Sequence, residues 1–353
     1  MTDVWPDAPI FTLLYDEEGT SERFAGRKVT TSPLQHLGAR QAGFRSLLPL
    51  FPVAMRSLTL DDYDCIVTSS SAFAHGIRKP AGAVHVCYCH SPFRYAWHEN
   101  VLARSDVRAP VRPVLDFILR RHRAFDRRAA RHVDQFVANS WLTRERIKRF
   151  WGRDAVVVHP PVDVDRFRPG EPADHLLFVG ELVPHKRAET AIEAALAAGR
   201  RIKVVGTGPD LGRLRERYRE VEFLGRVDDR DLERLYAQAA ALVVPNVEEF
   251  GIAAVEAQAA GRPVVGVDEG GMRETVVQGH TGVLVPPGDV SALARALRGD
   301  LTRFDPEEIR AHAQQFSREA FQARIGEVVE MTRARGPAPD GSCRSARLVA
   351  ARA

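Results

Sequence analysis

The stretch Val243–Gly266, VVPNVEEFGIAAVEAQAAGRPVVG, decides how the chain reads. A β-branched run ends at Pro245, which cannot continue a hydrogen-bonded ladder. Glu248 follows in a loop, and Phe250-Gly251 open a helix that carries Glu256 about one turn inside. A helix start offers unbonded amides and the positive end of its dipole, so it suits a phosphate. Glycine at 251 lets a ligand approach the backbone closely. The two carboxylates can then face one ligand laid across the helix start. Beside a phosphate, carboxylates serve hydroxyls, and hydroxyls flank a diphosphate on both sides in a sugar nucleotide. The same spacing also suits an ordinary strand–loop–helix with solvated glutamates.

Outward from this stretch, short apolar runs alternate with helical patterns. LLFVG, IKVVG, VEFLG, ALVVP, PVVGV and GVLVP read as strands, with helices at about 188–198, 210–218, 229–238 and 252–260. Upstream, IFTLLYD, KVTTS, CIVTSS, VHVCYCH, QFVANS and VVVHPP read the same way. This rhythm predicts an α/β fold of two Rossmann-like, doubly wound domains facing a central cleft, where ligands bind at strand carboxyl ends. The Pro- and Asp-rich segment 160–174 reads as the linker. The predicted divisions are 1–165, 166–316, a crossover helix over 317–333, and a disordered basic tail over 334–353. A helix over Val111–Arg131 is predicted to bury Val114, Leu115, Ile118, Leu119, His122 and Phe125, leaving an arginine-rich face outside.

Bulk properties narrow the classes. At 353 residues the chain exceeds one ordinary core, and 44% hydrophobic residues exclude global disorder. The net charge is only +4, yet Arg104–Arg153 is dense in arginine, which attracts phosphate-bearing partners. The arginine helix lacks interleaved stacking aromatics, so no nucleic-acid partner is expected. A solvated face and a face docked on an anionic leaflet both fit it. Four cysteines without a CxxC pair suit a reducing cytosol, and no signal peptide is readable. The expected place is the cytoplasm, including the inner membrane face. His85, Cys87 and Cys89 share one strand face but lack a fourth ligand, so no metal is expected.

The motifs also carry a resemblance. E-x7-E with EAQAAGRPVV resembles the donor-binding signature of family 4 glycosyltransferases, which have the GT-B fold. LLFVGELVPHKRAETAIEAA, VVGTGPD, FLGRVDDRDLERLYAQA and EGGMRETVVQGHTGVLVPPGD match the family in order and spacing. VCYCHSPFRYAW, DQFVANSW and VVVHPPVDVDRFRP resemble the branch that includes O-antigen mannosyltransferases. The resemblance implies retaining transfer from a nucleoside diphosphate sugar, GDP-mannose first, to a glycan or lipid-linked glycan, with no cofactor beyond the donor.

It also implies roles. Glu256 would hold the nucleotide ribose, Glu248 would contact the transferred sugar, and Phe250, Gly251 and Ile252 would supply amides to the distal phosphate. Lys186 would face the diphosphate, with Arg187, Gly206 and Arg226 also on the donor side. His90 would stand beside the reacting sugar, and Arg94 and Trp97 are further candidates from its loop. Glu181 departs from the family, which has arginine there; a carboxylate facing a diphosphate would repel it. The family's opening strand, glycine loop and helix are not readable before IFTLLYD, so the native product is expected to start upstream of Met1. IFTLLYD and CIVTSS should then flank a gap. The alternatives are a glycosyltransferase using another nucleotide sugar and a non-catalytic GT-B component of glycan assembly.

Overall fold

The computed structural model describes residues 1–20, 24–37, 44–98 and 109–338, so most of the expected tail, from residue 339 on, lies outside the described residues. The chain divides into two units. Met1–Asn139, Thr143–Val158 and the chain from Arg324 form the first; Ser140–Leu142 and His159–Ala323 form the second.

In the first unit, β1 (Ile10–Thr12) and β2 (Val29–Thr31) make a two-stranded parallel sheet. β3 (Cys65–Ser70), β4 (Val84–Cys89), β5 (Gln135–Ala138) and β6 (Ala155–Val157) make a separate parallel sheet in that order. β4 is buried along its whole length, as an interior strand covered on both faces must be. Around these strands stand α1 (Phe51–Arg56), α2 (Arg94–Trp97), α3 (Arg112–Ala129) and, from Thr143 on, α4 (Trp141–Trp151).

β3 pairs with β4 on one edge only. The Val84 amide donates to the Asp64 carbonyl and the His90 amide to the Ser70 carbonyl, so even-numbered residues of β3 use that edge. The backbone groups of Cys65, Val67 and Ser69 therefore turn the other way. There a cavity of about 350 Å³ opens, walled by Cys65–Ser69, by Pro9–Phe11 at β1, and by Val329 and Arg333 near the C-terminus. β1 and β3 are thus separated by an open, mainly apolar volume.

α3 turns inward most of the face its sequence suggests: Leu119 and His122 are buried, Leu115, Ile118 and Phe125 are half-buried, and of the six expected residues Val114 alone is exposed. Leu119, His122, Asp126 and Ala129 are buried, whereas Val114 and Phe117 are 57% and 54% exposed. Asp126 joins this face through partners elsewhere in the unit. Trp97 Nε1 donates to its carboxylate at 2.8 Å, and His75 Nε2 lies 3.6 Å away.

The second unit has one six-stranded parallel sheet. β7 (His175–Val179), β8 (Arg201–Val205), β9 (Glu222–Gly225), β10 (Ala241–Val244), β11 (Val264–Val267) and β12 (Gly282–Val285) lie in the order β12-β11-β10-β7-β8-β9. From β7 the chain winds outward through β8 and β9; from β10 it winds the opposite way. The switch point of this doubly wound sheet lies between β7 and β10. α5 (Ala188–Ala197), α6 (Leu211–Arg217), α7 (Asp229–Gln238), α8 (Ile252–Ala259), α9 (Met272–Thr275), α10 (Val290–Arg298) and α11 (Pro306–Ala313) follow in chain order. Aspartates open three of them: Asp228, Asp289 and Asp305 accept first-turn amides of α7, α10 and α11. The last helix, α12 (Arg318–Arg335), starts in the second unit and belongs to the first from Arg324. Its Val328 and Val329 are buried, and Arg333 pairs with Asp64 at 3.2 Å. No described helix is long and apolar enough to cross a membrane.

Candidate functional site

The loops after β7 and β10 leave the second sheet on either side of its switch point. Lys186 is on the first and Glu248 on the second, and Lys186 Nζ donates to Glu248 Oε1 at 2.6 Å. Asn246 Nδ2 donates to the same oxygen at 2.9 Å. The pair is about a quarter exposed, 27% for the Lys186 side chain and 20% for Glu248, so both ends remain open to a ligand.

Glycine makes the Lys186 loop possible. A Cβ on Gly206 would come within 1.8 Å of the Gly180 carbonyl oxygen, so the loops after β7 and β8 can approach only with glycine at 206. The Leu182 amide then donates to the Thr207 carbonyl at 2.8 Å, and the Gly206 amide to the Gly225 carbonyl at 2.8 Å. Arg187 ends the loop with φ 53, the one left-handed non-glycine residue among those described. Arg187, Arg226 and Glu181 are exposed.

Gly251 is the N-cap of α8 with φ 96, and a Cβ there would meet Met272 Cε at 2.1 Å. A residue without a side chain leaves the first-turn amides of α8 uncapped. Phe250 is buried, while Ile252 is 48% exposed. One turn into α8, Glu256 accepts the Tyr236 hydroxyl at 2.8 Å. Burial raises the Glu256 carboxyl above its usual range, against the Tyr236 hydrogen bond and the Arg166 charge. Tyr236 and Asn246 escaped the sequence reading. A buried tyrosine hydroxyl needs a partner, and that demand is the signal by which Tyr236 could have been found.

His90 follows β4 in the first unit. Its Nε2 lies 2.8 Å from Ser69 Oγ, its ring meets Tyr88 edge-on at 5.1 Å, and its carbonyl accepts the Thr143 hydroxyl at 3.1 Å. Burial lowers its pKa, which favours the neutral ring. Ser69 also walls the cavity beside β3. Trp97 is taken up by packing: its ring stacks on Phe150 at 5.0 Å, and the Arg127 guanidinium lies 5.1 Å from its centroid. His85, Cys87 and Cys89 are wholly buried, and burial pushes the Cys87 thiol up to about 12. Among the described residues no three His, Cys, Asp or Glu side chains are grouped to hold a metal.

Two family models match the chain: Glycosyltransferase Family 4 over residues 10–166 and Glycosyl transferases group 1 over residues 173–302. D-inositol 3-phosphate glycosyltransferase of Geodermatophilus obscurus is 34% identical over 223 residues, covering 52% of this chain and 50% of that protein. The chain thus spans about half the length of the curated relatives it matches. Sucrose-phosphate synthase from Thermosynechococcus elongatus has a similar fold, with a TM-score of 0.71 at 22% identity over 93% of this chain and 90% of that one. HepE of Anabaena in complex with UDP and glucose gives 0.61 at 19% identity over 86% and 85%. Identities this low speak for fold alone. The chain is thus similar to family 4 glycosyltransferases over residues 10–166 and to group 1 glycosyl transferases over residues 173–302, and its two parallel-sheet units have the GT-B fold.

Proposed function

We propose that the chain transfers a sugar, with retention of anomeric configuration, from a nucleoside diphosphate sugar to a glycan or lipid-linked glycan. The observation that carries this reading is the meeting of Lys186 and Glu248 at the switch point of the second sheet. Lys186 and the amides of Phe250–Ile252 would take the diphosphate and stabilise its charge as it departs. Glu256, held by Tyr236, would take the ribose hydroxyls, and Glu248 would orient the sugar. His90 would serve the reacting sugar as a neutral ring. Mannose from GDP-mannose is the first donor by sequence resemblance; UDP-sugars are the alternative, since HepE holds UDP and glucose. A lipid-linked acceptor is supported by α3, where Val114 and Phe117, with Val111 just before the helix, are exposed on an element that also exposes Arg120 and Arg121. Glu181 favours a second reading, a GT-B component without turnover.

The test is a transfer assay with GDP-mannose and UDP-sugars against glycan and lipid-linked acceptors. The anomeric configuration of the product is read by nuclear magnetic resonance. Transfer with retention, lost in Lys186→Ala with folding intact, is the expected result. Nucleotide binding without turnover on any donor would favour the second reading, and inversion would refute the first.

A further inference from the structure

Besides Glu248, the turn at Phe250-Gly251 is clamped by residues that the proposed chemistry does not use. Glu248 and Gly270 form a parallel bridge, and the Gly271 amide donates to the Glu248 carbonyl at 2.8 Å. This brings α9 under the turn, with Met272 against Gly251. Two positions on, Glu274 holds His159: Nε2 donates to Oε2 at 2.9 Å, and the Glu274 side chain is only 7% exposed. The His159 ring stacks on Phe250 at 5.3 Å with 25° between the planes. Phe316 meets both rings edge-on, each at 5.3 Å. Glu274 also accepts the Trp141 amide with its two oxygens, at 2.9 and 3.0 Å.

His159 is therefore restrained on its face, its edge and its nitrogen. A ring so restrained fixes the Phe250 ring stacked on it, and with that ring the peptide planes on either side of Gly251. We propose that His159 and Glu274 are a positioning pair for the phosphate-binding turn, acting through Phe250 without touching the donor; this rests on the donor reading above. The pair sets where the Phe250–Ile252 amides point, and among the described residues neither side chain makes a hydrogen bond or ring contact with Glu256 or Tyr236, which would take the ribose. Its loss should weaken capture of phosphate and spare capture of the nucleoside. A purely structural role would lower both alike.

Calorimetry with guanosine, uridine, GDP and UDP on the whole chain separates these outcomes. His159→Ala should weaken binding of the diphosphate by about tenfold, the scale of one lost aromatic stack, and leave nucleoside affinity unchanged. His159→Phe, which keeps the stack, should recover most of that loss. Glu274→Gln is the second variant should His159→Ala not fold, and a selective loss of diphosphate affinity is expected there too. Equal diphosphate affinity in folded variants, or equal loss for nucleoside and diphosphate, would overturn the pair. Failure of the wild type to bind any of these nucleotides would overturn the donor reading itself, and the pair with it.

Discussion

The two units handle the same kind of strand differently. The second carries six parallel strands in one unbroken sheet, and the loop after β8 hydrogen-bonds to the loop after β7 and to the end of β9. The first splits its strands into two and four, with a cavity of about 350 Å³ against β1 and β3. A continuous sheet puts the carboxyl ends of neighbouring strands in register, so side chains 62 positions apart, Lys186 and Glu248, meet there. In the first unit His90 is held by Ser69, Tyr88 and Thr143, 21, 2 and 53 positions away. Open sheet edges and unfilled volume also cost stability, because unpaired backbone and missing dispersion contacts are not recovered. The second unit should be the more stable of the two.

The sharpest way to break that contrast is Gly206→Ala. The added Cβ would lie 1.8 Å from a backbone oxygen that cannot swing aside, and φ at 206 is 136. The expected cost is about 4 kcal/mol, more than overpacking a deformable core. Denaturant unfolding should show the second unit losing its advantage, while the first unit's transition stays in place. An unchanged second-unit transition would mean that the loops after β7 and β8 have other ways to meet.

Acid should widen the contrast. Burial depresses His75 to about 4 and His85 to about 3, from 6.5 in an unfolded chain. Groups with depressed folded values give stability that is full above pH 6.5 and is lost as pH falls toward those values. Asp126, raised to about 7 by burial, works the other way: its stability is full below 3.8 and lost as pH rises through 7. Two imidazoles against one carboxyl leave a net loss for the first unit on acidification, on the order of 2 kcal/mol between pH 6.5 and 4. Thermal unfolding followed over that window should show the first unit's transition falling further than the second's. A parallel fall would mean that the buried histidines do not distinguish the units.

Much of the fold was legible because its signals are local. β-branched runs such as LLFVG and ALVVP, bounded by Gly or Pro, become β7 and β10. In α3 the apolar spacing marks the inward face at 115, 118, 119, 122 and 125, and Val114 alone of that stripe stays exposed, at 57%. The site was less legible than the fold. Spacing could suggest Glu248 and Glu256, but Lys186 entered only through the family resemblance. Asn246, Tyr236, His159 and Glu274 left no local mark; the last two are 115 positions apart.

The central claim is that the second unit holds a nucleotide diphosphate on the loops after β7 and β10, with its ribose on Glu256. Isothermal titration of GDP and UDP into the wild type and Glu256→Ala tests it most directly. The carboxylate's hydrogen bonds to ribose hydroxyls should be worth about 1.5–3 kcal/mol, so a folded Glu256→Ala should bind at least about tenfold more weakly. Equal affinity in the two proteins, with the variant folded, would contradict the account.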